Sequence, residues 1–162
     1  MPPKRKPKHK QVTAPLAPQR KEVPQPGRLL GLIDGPNGTH PKWRLSLLDL
    51  DHAGGWSWAV DEAALRKITA FLSEMERLTW TEIKAQMFNS KKGSHKKHHA
   101  MAPGDLCSEA RNRLEALGLD DVDELFRFRL GNEPRLWGVI DDAGIFYPVW
   151  WDPEHQVYPM DN

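Results

Sequence analysis

The feature that most constrains this chain is the period-two alternation near its end. Phe126, Phe128 and Leu130 alternate with Arg127 and Arg129, and the run stops at Gly131 and Asn132. Strand geometry sends successive side chains to opposite faces, so such a run reads as a strand with one apolar and one basic face. Two further apolar runs follow, RLWGVID at 135–141 and IFYPVWW at 145–151, split by the turn residues Asp142, Ala143 and Gly144. Three runs joined this closely predict a three-stranded antiparallel meander. Pro148 has no amide to donate and belongs on an edge or at a bulge. Of the adjacent Trp150 and Trp151, one should be core and the other, if exposed, a stacking platform.

Upstream, the spacing changes from two to three and four. Ala64, Leu65, Ile68, Phe71, Leu72, Met75 and Leu78 make one apolar stripe behind Asp61, a good N-cap, which predicts an amphipathic helix. Thr79 followed three residues later by Glu82 has the form of a capping box for a second, short helix over 80–87. Residues 106–117 read as a third helix stopped by Gly118, with Cys107 as a small core residue. Before the helices, RLLGLID at 28–34 and WRLSLLDLD at 43–51 flank a Gly/Pro/Asn loop and predict an N-terminal β-hairpin, after which Trp56 and Trp58 should share one side of an extended segment. The expected fold class is α+β: a hairpin, two to three helices, and the meander, forming one sheet with the helices packed on one face.

At 162 residues the chain is the size of one domain, taken as 28–162. The charge is unevenly spread. Residues 1–28 hold eight Lys/Arg against one acid, whereas 101–162 hold five Arg against thirteen acids. Residues 1–27 combine proline, repelling cations and almost nothing to bury, which predicts a disordered basic tail that acts as a solubilising leader or contacts RNA phosphates. No run approaches the length of a membrane span, no signal-peptide pattern opens the chain, and one cysteine rules out an internal disulfide framework. A soluble cytoplasmic protein without membrane contact is the expectation.

The stretch 89–104 carries Lys91, Lys92, Lys96 and Lys97 interleaved with His95, His98 and His99, with no periodicity that places it in a core. It reads as an exposed basic loop, either an RNA-phosphate contact or a solvated insertion. A helical His95–His99 metal pair is a third option, weakened by four lysines that repel a dication.

The order of elements and the closing segment FRFRLGNEPRLWGVIDDAGIFYPVWWDPEHQVYP resemble the RelE/ParE-like toxin superfamily, which includes the HigB and YoeB types of messenger-RNA interferase. The resemblance spans about 34 residues and implies an endoribonuclease that cleaves messenger RNA, free or while it is on the ribosome, and is neutralised by a cognate antitoxin. It implies Arg135 as the strand-leading arginine, His155 and Tyr158 as the residues after the third strand, and Arg129 on the strand before as catalytic, with no cofactor or metal. Residues 152–156 read Asp-Pro-Glu-His-Gln where the family often writes Gly-His-Arg.

The chemistry can be stated without the family. Cleavage by the RNA's own 2′-OH needs a base, an acid and cations for the charge on phosphorus. Arginine supplies a permanent planar cation and histidine a titrating group, while a tyrosine can orient phosphate or stack on a base. Arg127, with the loop residues Lys91, Lys92, Lys96, Lys97, His98 and His99, makes up the expected RNA-binding set. The alternatives are that Arg127 and Arg129 are a solvated strand face and that His155 caps its turn. A non-catalytic RNA- or ribosome-binding module on the same fold, or a plain protein-interaction scaffold, then remains.

Overall fold

The structure is a computed structural model, and it describes residues 35–158. The basic tail at 1–27 and the first half of the expected hairpin at 28–34 lie outside the described residues. The described part is α+β, with a mixed five-stranded sheet, a separate two-stranded sheet and three α-helices.

Helix α1, Glu62–Met75, starts where its cap predicts: Asp61 accepts a hydrogen bond from the Ala64 amide at 2.7 Å. Ile68 and Met75 are buried on its stripe, while Leu65 turns outward and is half exposed. Helix α2, Trp80–Ala85, opens with the full Thr79–Glu82 capping box. Its Trp80 is buried and donates to Gly144 O at 2.8 Å, fixing the helix to a sheet turn. Helix α3, Ser108–Ala116, follows Cys107 and ends before Gly118, whose φ of +66° suits a residue without a Cβ.

Strands β5 (Leu125–Arg129), β6 (Arg135–Ile140) and β7 (Ile145–Asp152) form the antiparallel meander. The register between β6 and β7 slips at Trp137 and Gly138, which pair with Trp150 and Pro148, so Val149 is the extra residue of a bulge and Pro148 sits beside it. Gly138 is required there: a Cβ would run into the carbonyl of Tyr147 and the ring of Phe146.

The second half of the expected hairpin is corrected. Only β1, Lys42–Trp43, is a strand, and it lies parallel to the start of β7, with Trp43 opposite Phe146. Leu45–Leu47 is a 3-10 turn, which breaks the alternation and leaves Leu45 and Leu50 exposed. The expected basic loop is also corrected. Met87–Ser90 (β2) and Gly93–Lys96 (β3) pair as a hairpin, and His99–Met101 (β4) adds to the edge of the main sheet against β5, giving the order β1-β7-β6-β5-β4.

Helices cover both faces of the sheet, not one. On one side α1 and α2 pack on Phe126, Phe128, Leu136, Phe146 and Trp151; on the other, α3 packs on Leu125, Trp137, Val149 and Trp150. The basic face therefore carries enough apolar surface at its β7 end to hold a helix of its own. Two expectations fall with this. Trp150 and Trp151 are both core, and Trp56 and Trp58 pack into opposite layers. No described helix is long and apolar enough to cross a membrane.

Candidate RNA-phosphate site

The basic face of the meander gathers its charged residues beyond the reach of α3. Cross-strand pairing sets His99 opposite Arg127, Arg127 opposite Trp137, and Arg129 opposite Arg135, which is opposite Asp152. Directly opposed residues point to one face, so these groups form a contiguous patch.

Arg127 and Arg129 are not a solvated strand face: Arg127 is 6% exposed and Arg129 half-buried, and Arg135 opposite Arg129 is 3% exposed. Arg127 lies 5.8 Å from the centre of the Trp137 ring and its Nη1 is 3.1 Å from His155 Nε2. Arginine keeps its protons, so it is the donor and His155 the acceptor. Arg135 spends its terminal nitrogens on backbone carbonyls of the β5–β6 loop, with Nη1 on Gly131 O and Pro134 O and Nη2 on Asn132 O. Arg129 is half-buried, donates from Nε to Gly131 O and stacks 3.9 Å above the ring of Phe88. The Nε atoms of Arg127 and Arg135 are buried without a partner.

What the patch lacks is a carboxylate paired with its arginines. Arg113 on α3 has a buried partner, with Asp49 accepting from its Nε at 2.9 Å and also from Nη2. Among the described residues, no carboxylate forms such a pair with Arg127, Arg129 or Arg135. Asp152 is near enough to act on Arg127 and Arg135 through space, but its oxygens accept from Trp137 Nε1, Gln156 N and Val157 N. Burial, and then the neighbouring arginines, bring Arg127 and Arg135 down to about 10. They remain cations at neutral pH, held at a cost that an anion would relieve.

The turn that delivers His155 is tied by Asp152, which caps the amides of Gln156 and Val157. His155 itself has φ of 59°, left-handed and uncommon for a side chain with a Cβ, a conformation held by the turn around it. Asp152 is therefore the turn's cap, and the His155 ring is free to face Arg127. Burial first, then Arg135, Arg127 and Arg129, push His155 down to about 4, so it is neutral at pH 7 with its Nε2 lone pair toward the site. The Tyr158 ring lies 6.5 Å from that of His155.

The loop residues separate. Lys91, Lys92 and Lys96 are exposed on the β2–β3 hairpin, and Lys97 is half-buried and lines, with Arg129, Glu74, Phe71 and Asn132, a cleft of about 280 Å³ at the end of β5. His98 leaves the expected RNA-binding set as a correction. It is 1% exposed, accepts from the Arg129 amide at Nδ1, meets Gln86 Oε1 through Nε2, and packs on Phe71 and Phe128. His95 and His99 fall on different strands, so the helical spacing proposed for a metal pair does not arise.

The structure thus brings Arg127, Arg129, Arg135, His99, His155 and Tyr158 to one face; the hairpin meets it through Phe88 under Arg129, while Lys96 Nζ donates to Lys84 O of α2. Asp152, Trp137 and Phe88 were missed. An Asp-Pro after an aliphatic strand was the available signal for Asp152, whose carboxylate caps amides four and five residues on. No family model, curated protein or solved structure matches the chain.

Proposed function

We propose that the protein is a metal-independent endoribonuclease of toxin type, which seats a messenger-RNA phosphate on the arginine face of its sheet. The observation that carries this is the patch of three arginines with no carboxylate pairing, two of them buried with unpartnered Nε atoms, next to a neutral histidine. Arg127 and Arg129 hold the charge that grows on the phosphate, as fixed donors in a shielded site do. His155 takes the 2′-OH proton at Nε2, and Tyr158 orients the phosphate or stacks on a base. Arg135 holds the β5–β6 loop and adds positive field from behind. The hairpin lysines Lys91, Lys92 and Lys96, with Lys97, track the flanking backbone. A cognate antitoxin would neutralise the protein by covering this face, and the ribosome is a natural place for it to meet its substrate.

One observation favours the alternative of a non-catalytic RNA- or ribosome-binding module: Arg135 has both terminal nitrogens committed to backbone carbonyls. The test is incubation of the purified chain with a messenger RNA in excess chelator, followed by analysis of the ends. Fragments ending in 2′,3′-cyclic phosphate and starting with 5′-OH, lost in His155→Ala, are expected. Tight binding with intact RNA would establish the binding module instead.

A further inference from the structure

Adjacent residues on a strand face opposite sides, and His98 and His99 divide along that line. His98, immediately before β4, turns into the aromatic layer and has a partner for each ring nitrogen. His99 is the Cα partner of Arg127 across the β4–β5 ladder and shares its face. It is half-buried, and its Nδ1 is buried with no hydrogen-bond partner. His155 meets the same Arg127 at 3.1 Å. Arg127 therefore has two histidine neighbours, His155 by direct side-chain contact and His99 across the ladder, and forms no ion pair with a carboxylate of the described residues. A histidine kept there for structure alone would be expected to satisfy its nitrogens, as His98 does.

We infer that His99 is the general acid of the proposed cleavage, the residue that protonates the leaving 5′-oxygen; this rests on the endoribonuclease proposal. The 2′-oxygen bonds to phosphorus as its proton passes to His155 Nε2, which leaves its bond with Arg127 as the guanidinium turns to the phosphate. The bond from phosphorus to the 5′-oxygen breaks, and that oxygen keeps the electron pair and takes a proton from the His99 imidazolium. The products are a 2′,3′-cyclic phosphate and a 5′-OH, with one proton moved from His99 to the leaving group and one gained by His155. The division of roles follows the surroundings. His155 is the more strongly held in its neutral form, whereas His99 is lowered by burial and by Arg127, with the Lys96 backbone acting in the opposite direction. A bound phosphodiester adds negative charge beside both rings and favours protonation further.

The experiment compares two substrates with the full chain: an RNA, and a uridine 3′-phosphate esterified to 4-nitrophenol, whose leaving group departs without a proton. His99→Ala should cut kcat on RNA by about 100-fold or more, the usual worth of a positioned acid. On the aryl ester it should cost no more than a few-fold, whereas His155→Ala should lose both activities. His99→Gln, closer in size, serves if the alanine variant melts early. Equal losses on both substrates, or undiminished RNA cleavage by either His99 variant, would overturn the acid role while leaving the nuclease in place. A wild-type chain inactive on both substrates would instead sink the endoribonuclease proposal, and this one with it.

Discussion

The two faces of β5 bury side chains of similar size in opposite chemical settings. Phe128 sits at the centre of the aromatic layer, with edge-on or stacked contacts to Trp43, Phe71, Trp80, His98, Phe126 and Phe146 at ring separations of 5.0 to 6.0 Å. Arg127, next in the chain, is nearly as buried, yet its surroundings are two other arginines, two histidines and a carboxylate already committed elsewhere. The first face stabilises the fold by removing apolar surface from water and by packing rings at favourable angles. The second costs stability, because a desolvated cation with no paired anion is worse placed than an apolar group of the same shape. A strand that stabilises on one side and gives up stability on the other marks the costly side as the functional one.

The largest effect should come from emptying the favourable face. Phe128→Ala is expected to cost about 3–5 kcal/mol, measured by denaturant unfolding, and would expose the whole sheet to local opening. A loss below about 1 kcal/mol would mean that the aromatic layer is not the core.

His98, which belongs to that same layer, sharpens the comparison through pH. Burial holds it down to about 3, with Lys97, Arg127, His99 and Arg135 adding repulsion. In the unfolded chain it should titrate near 6.5, so between about pH 6.5 and 3 the unfolded state binds the extra proton. Stability due to this group is thus complete above pH 6.5 and is lost as pH falls, by roughly 5 kcal/mol across the window. His98→Asn keeps an acceptor for the Arg129 amide. It should be less stable at pH 7.5 by about 1–3 kcal/mol, with a markedly flatter acid limb. An acid limb identical to wild type would assign it to other groups.

A smaller effect is expected at the edge of the basic face. Arg129→Met keeps the length that covers Phe88 and should change stability by less than about 1 kcal/mol. It should weaken RNA binding and reduce the slope of log affinity against log salt by about one phosphate contact. An unchanged slope would place Arg129 outside the RNA path.

Much of this was legible because it is local. The Asp61 and Thr79–Glu82 caps are hydrogen bonds within a few residues, and the Phe/Arg alternation of β5 needs only the geometry of a strand. What failed to show depends on distant partners. Trp43 pairs in parallel with Phe146, a contact that no pattern near residue 43 announces, so the run at 43–51 read as half of a hairpin. Strands β2 and β3 are exposed along most of their length and carry no apolar alternation, and β4 becomes a strand by adding to β5. The division of His98 from His99 follows from that addition. For the site, Arg127, Arg129, Arg135, His155 and Tyr158 could be singled out by residue type and place. Their burial could not, because it depends on the turn that Asp152 folds back over the sheet.

The most direct test is Arg127→Met, with unfolding free energy and RNA affinity measured on the same preparation. If Arg127 is a buried cation kept for its ligand, the variant should be as stable as wild type or more so, as replacement of buried charges by apolar groups often is, and should bind RNA at least about tenfold more weakly. A clear loss of stability with RNA affinity intact would contradict the account, and would make Arg127 a structural residue of the sheet.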